Sequence, residues 1–145
     1  MEDHYNLKRF KIAQESREID FEFALNEIRL GKKREHWIWY IFPQGPFGIS
    51  SISLFFSIRS LQEARAYLDD PILGARLRLI IKEILVHGQK EIFDVLGFDA
   101  NKFQASMTLF SIVDKSEEGL FNTAIQVFFK GEKHMGTIDY FASEA

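Results

Sequence analysis

Residues 31–53 read GKKREHWIWYIFPQGPFGISSIS and hold both tryptophans of the chain. Several side chains here are able to do chemistry. The His36 imidazole can take or give a proton, and beside Lys33 and Arg34 it would titrate below its ordinary value. The same ring also fits a plainer role, hydrogen-bonding backbone under the tryptophans. Trp37 and Trp39 present flat faces that stack on bases, nicotinamides or sugars, or that fill a core. Lys32, Lys33 and Arg34 suit a phosphate grip, Arg34 in bidentate fashion, or a solvated loop. Gln44, after Pro43, can read an amide or ribose edge or tie its own turn. Gly48, Ser50, Ser51 and Ser53 offer amides and hydroxyls that cradle an anion when a helix follows. The Gly-Lys-Ser/Thr of a phosphate-binding Walker loop is missing. Further along, Lys102 and Ser106 are four apart and share one helix face. With Thr108 they carry polar groups either toward the central stretch or into water.

Two readings follow. In the first, the stretch lines a pocket for a phosphorylated, base-containing small molecule such as a nucleotide or an ADP-ribose derivative. Lys33 and Arg34 hold phosphate, Trp37 and Trp39 stack, and His36 and Gln44 orient or protonate. Gly48, Ser50 and Ser53 seat an anion, and Lys102 and Ser106 complete the ligand-binding set. A reaction there would be cleavage of a glycosidic bond with His36 and Glu35 as the catalytic candidates, although the second carboxylate of the pair that chemistry needs is not identifiable. In the second reading, segment 36–44 is the docking surface of a non-catalytic interaction module, since interface energy concentrates in Trp, Tyr and Arg. Whether the protein is an enzyme stays open between them, and the sequence leaves oligomeric state open too.

Other classes are excluded. The chain has no cysteine, so disulfides, thiolate nucleophiles and thiolate-held metals are absent. His4, His87 and His134 are scattered, and no His/Asp/Glu spacing suits a metal. No Gly-x-Ser-x-Gly elbow occurs, and nothing signals a cofactor. A net charge of −3 argues against broad binding to nucleic acid or anionic membranes. The start, MEDHYNLKRFK, lacks the apolar run of a signal peptide. The longest apolar run, Trp37 to Phe42, is too short to span a bilayer. A cytoplasmic location is the expectation.

The elements that must position these residues read as helices. Leu7, Phe10, Ile12 and Ala13 predict a first short helix. Phe21, Ala24, Leu25 and Ile28 mark one face of a second, capped by Asp20 and stopped by Gly31. Residues 37–42 are apolar throughout, which fits a buried strand or a buried helical turn equally. Ser60 with Glu63 makes a capping box. Leu73, Leu77, Ile80, Ile81, Ile84 and Leu85 keep a helical rhythm to about His87, with Pro71 at its first position. Asp99 is placed to cap a helix whose inward face is Phe103, Met107 and Phe110. Leu120, Phe121, Ala124, Ile125 and Phe128 form another face, and 137–141 a last turn. No linker or repeat divides the chain. The expectation is an all-α fold of six to eight helices, one domain over 1–145, with 37–42 and 52–58 able to pair as a two-stranded insert. Fifteen phenylalanines predict an aromatic-rich core.

The motifs GKKREHWIWYIFPQ, GISSIS, SLQEARAYLDDPILGARL, KFQASMTLF and FFKGE together span about residues 7–141. On them the chain resembles a small bacterial family of unknown function whose members often carry the label "calpastatin". The resemblance implies fold continuity and a cytoplasmic bacterial protein, and no activity. Two positions depart from the pattern: Phe56 stands where the family has Tyr, removing any hydroxyl role there, and Glu35 stands where Ser is common. The label conflicts with the composition, because calpain-inhibitory repeats are disordered, polar and poor in aromatics.

Overall fold

The computed structural model describes residues 2–144. Among them all regular structure is helical. The α-helices are α1 (Lys8–Ser16), α2 (Phe21–Leu30), α3 (Ile38–Ile41), α4 (Ser51–Phe55), α5 (Leu61–Asp69), α6 (Leu73–Leu85), α7 (Ile92–Leu96), α8 (Ala100–Val113), α9 (Leu120–Phe129) and α10 (Met135–Tyr140). Two 3-10 turns, Gly97–Asp99 and Ala142–Glu144, complete the set. The all-α expectation holds; the helices beyond the predicted number are α3 and α4, short turns in the stretches that were also open to a strand reading.

The two-stranded insert does not form. Residues 38–41 close a single helical turn, with the Phe42 N–H donating to the Ile38 carbonyl at 2.9 Å. Residues 51–55 are helical behind a Ser50 cap. A fully apolar hexapeptide satisfies its own backbone as a helical turn, so a buried environment on every side needs no partner strand. The two stretches approach past α3, where the Ile58 N–H donates to the Gln44 carbonyl at 2.9 Å.

Local chemistry explains the helix ends. The Asp20 carboxylate accepts the Phe23 N–H at 2.9 Å, and Gly31 closes α2 at φ +84°, a conformation that costs glycine little. The Ser60 hydroxyl accepts the Glu63 N–H at 3.0 Å. The second arm of that box is diverted: Glu63 accepts the Arg59 N–H at 3.1 Å and pairs with Arg9 at 2.7 Å. Asp70, rather than Pro71 alone, starts α6, accepting the Ile72 and Leu73 N–H groups at 2.9 Å each.

Helix α8 is the centre of the molecule. It packs on α5, α7, α9 and α10, while α6 packs on α2, α5 and α9. Its residues 105–110 are all buried. The predicted aromatic core is there as a connected run of rings. Tyr40 meets Phe56, Phe56 meets Phe10, Phe10 meets Tyr67, and Tyr67 meets Phe110, at centroid distances of 5.4, 5.7, 5.0 and 5.4 Å. Ring pairs at this spacing add to plain burial. No helix among the described residues is long and apolar enough to cross a membrane.

Candidate functional site

The loop between α2 and α3 is built around Glu27. This carboxylate sits on the last turns of α2 and is buried. Its Oε1 accepts the indole Nε1–H of Trp37 at 2.7 Å and the backbone N–H groups of Arg34 and Glu35 at 3.1 and 3.2 Å. Three donors on one carboxylate replace the water it lost on burial. They also lock Trp37, which is fully enclosed and meets the Phe42 ring at 6.1 Å. Trp37 is therefore a core residue whose polar edge is already used.

Lys33 turns inward from the same loop. Its side chain is only 6% exposed, and its Nζ lies 2.6 Å from Asp99 Oδ2. The ammonium also donates to the Glu35 carbonyl and stands 5.0 Å from the Trp37 ring centre. Asp99 holds a second cation, Lys102 Nζ, at 3.0 Å. The carboxylate expected to cap α8 makes no cap hydrogen bond; it bridges two lysines instead. Burial pushes the Asp99 carboxyl up, yet the hydrogen bonds and charges of Lys33 and Lys102 bring it net below its ordinary value. Two ammoniums against one carboxylate leave the cluster with one positive charge.

Lys102 joins this cluster to Trp39. The ammonium is 6.0 Å from the centre of the Trp39 ring, the outer limit of cation–π contact. Trp39 is half-buried, whereas its neighbours Ile38 and Tyr40 are enclosed. At the next residue of α8, Phe103 meets Phe42 at 4.8 Å. These two contacts lay residues 39–42 along the first turns of α8.

Ser106 is in an unusual condition. Nine polar or charged residues among those described are buried, and in seven of them the side chain hydrogen-bonds within the protein. Gln44, at 8% exposure, and Ser106, at 0%, are the other two. The Ser106 hydroxyl has no partner among the described residues. Buried polar groups are ordinarily bonded, and leaving one unpaired costs about 1–3 kcal/mol.

The remaining candidates lie apart from this pair of contacts or are already engaged. His36 is exposed and lines a cleft of about 250 Å³ with Arg17, Glu18, Ile19 and Tyr40. Arg34 is exposed. Glu35 contributes its backbone at both ends, to Glu27 and to Lys33. Ser50 caps α4, and its hydroxyl is 2.9 Å from the Ser53 hydroxyl, which in turn donates to the Ser50 carbonyl at 2.9 Å. Gly48 packs so closely on Ser53 that a Cβ would stand 2.3 Å from its Oγ. This turn is closed on itself, and α4 has only five residues, too few to aim a helix field outward. Segment 36–44 presents His36 and part of Trp39 to solvent; the rest is buried.

Two contributors escaped the sequence reading. Glu27 falls on the buried face of α2, but nothing in its spacing points to a loop seven to ten residues on. Asp99 and Lys102 do have helical spacing, a signal that the capping assignment obscured. Among the described residues no group of three His, Asp or Glu is arranged to hold a metal. The arrangement offers a half-buried indole, a lysine ammonium with donors to spare, an amide and a hydroxyl, which is chemistry for holding a flat, singly charged polar molecule.

A family model described as "Protein of unknown function (DUF1810)" matches residues 4–141. Among solved structures, the chain is similar to the crystal structure of the conserved hypothetical protein Rv1873 from Mycobacterium tuberculosis. The two are 32% identical over 97% of this chain and 99% of that one, with a TM-score of 0.88. No curated protein matches.

Proposed function

The chain belongs to DUF1810, a family of unknown function, and on that premise we propose that it binds a small, phosphorylated, base-containing molecule where Trp39 and Lys102 meet. The base stacks on the open part of the Trp39 indole. The Lys102 ammonium, bonded to Asp99 through one of its three protons, takes the phosphate with the others. The Gln44 amide offers both a donor and an acceptor to a base or ribose edge, and Ser106 lies deeper on the face that carries Lys102.

The observation that carries this reading is the buried Ser106 hydroxyl, which has no partner among the described residues and stands four residues from Lys102 on one face of α8. Gln44, five residues after Trp39, is buried as well. A protein keeps an unpaired buried group where a bound molecule completes it, because otherwise an apolar residue would serve stability better. Trp37 and Lys33 support the site from behind: Glu27 and Asp99 fix them, and neither is free to touch a ligand strongly. The interaction-module reading is the weaker one, since segment 36–44 leaves so little of itself exposed.

Calorimetric titration with nucleoside monophosphates and ADP-ribose tests the proposal. Binding should be lost or weakened about tenfold or more by Trp39→Ala, in line with the worth of one stacked base, and comparably by Lys102→Gln. Absence of binding across the panel, or binding indifferent to Lys102→Gln, would remove the site.

A further inference from the structure

Lys33 belongs to two places at once. Its ammonium is held in the Asp99 cluster, and the residue also lines a cleft of about 390 Å³ shared with Lys32, Phe93, Asp94, Val95 and Gly97. The Lys33 N–H donates to the Val95 carbonyl at 2.7 Å, which fixes the loop to the cleft wall.

Three features suggest a seat for a molecule. The volume falls in the lower part of the range of about 300–1,000 Å³ found for small-molecule sites, room for one ring system and its sugar. At its edge Phe93 and Phe98 stand edge to face, 5.3 Å apart, yet they are 54% and 89% exposed. Two large aromatic rings left in water beside a cleft mark a binding surface more often than chance placement. Gly97, at φ +61°, has no atom within 4 Å of where a Cβ would be, so the backbone there is open to an approaching ring.

The cleft is connected to the Trp39 site by a short chain of contacts. Trp39 reaches Lys102 at 6.0 Å, Lys102 reaches Asp99 at 3.0 Å, and Asp99 reaches Lys33 at 2.6 Å. Two aromatic platforms thus stand at either end of a lysine–aspartate–lysine bridge that carries one surplus positive charge. Exposed Lys32 adds a second, and Asp94 on the cleft wall offsets it.

We propose that this cleft is the second compartment of the Trp39 site and that the ligand is a dinucleotide, two ring systems joined through phosphates held between Lys102, the more exposed end of the bridge, and exposed Lys32. The inference rests on the nucleotide-binding reading above. These two ammoniums match the two negative charges of one short phosphate bridge and disfavour a polyanion.

The test titrates the full chain with adenosine monophosphate, nicotinamide mononucleotide and the dinucleotide that joins them, followed by heat and by tryptophan fluorescence. The dinucleotide should bind about tenfold or more tighter than either half, the gain expected from one further stacked base. The double variant Phe93→Ser/Phe98→Ser alters exposed residues only and should erase that gain while leaving mononucleotide binding in place. Equal binding of half and whole molecules, or a gain that survives the double variant, overturns the second compartment and leaves the Trp39 site standing. Failure of all three to bind overturns both.

Discussion

At the scale of single residues, what distinguishes this protein is which polar groups are bonded and which are not. Glu27 and Asp99 each collect several donors and hold the loop before α3 in one shape. The Ser106 hydroxyl has no partner among the described residues. This makes a sharp stability prediction. Ser106→Ala deletes a buried hydroxyl without a partner, so the free energy of unfolding in urea should rise by about 1 kcal/mol. Ser57→Ala, which removes a hydroxyl donating to the Leu54 carbonyl at 2.7 Å, should lower it. A fall for Ser106→Ala would mean that its hydroxyl is satisfied inside the protein, and the argument for a ligand would lose its main support. The sequence placed Lys102 and Ser106 on one face and both in the ligand set; it had no means of telling that Asp99, four residues before Phe103, would draw Lys33 across from the loop between α2 and α3.

At the scale of elements, capping residues decide where helices begin, and one of them is a histidine that burial holds below its ordinary pKa. His134 heads α10: its Nδ1 accepts the Thr137 N–H at 3.1 Å and lies 2.8 Å from the Thr137 hydroxyl. An accepting Nδ1 requires the neutral ring with its proton on Nε2. Burial lowers the pKa of this histidine from 6.5, so the unfolded chain takes up the proton first as pH falls. The capping contribution is therefore complete above about pH 6.5 and is lost as pH drops through the lower value of the folded state. Thermal midpoints across that range should show this loss, and His134→Asn, which keeps an acceptor at the cap, should flatten it. An unchanged pH profile in that variant would assign the loss to other groups. Helix existence was largely legible from period and caps, as in α2 and α6. The state of 37–42 was not, because six apolar residues in a row lack the period that separates a strand from a helical turn.

At the scale of the whole molecule, distant segments are tied by a buried ion pair. Arg9 of α1 and Glu63 of α5 meet at 2.7 Å, each side chain 8% exposed. Arg9 also donates to the carbonyls of Tyr5, Asn6, Phe55 and Ser57, so one guanidinium gathers α1, α4 and the start of α5. Arg9→Leu leaves Glu63 buried without its cation and should cost about 3–5 kcal/mol by denaturant titration, with little dependence on salt. A cost below about 1 kcal/mol that fades with added salt would instead describe a surface pair.

The amino-acid pattern alone determined that this chain is helical, that its core is aromatic, and where α2 and α5 begin, because period, caps and composition act over a few residues. It also singled out residues 31–53 as the stretch where a site would lie. Only the tertiary structure decided that Trp37 is enclosed while Trp39 is half open, that Lys33 is held by Asp99, and that the Ser106 hydroxyl has no partner among the described residues. Those outcomes depend on which side chains from separate helices arrive at the same place, and no spacing within one segment contains that information.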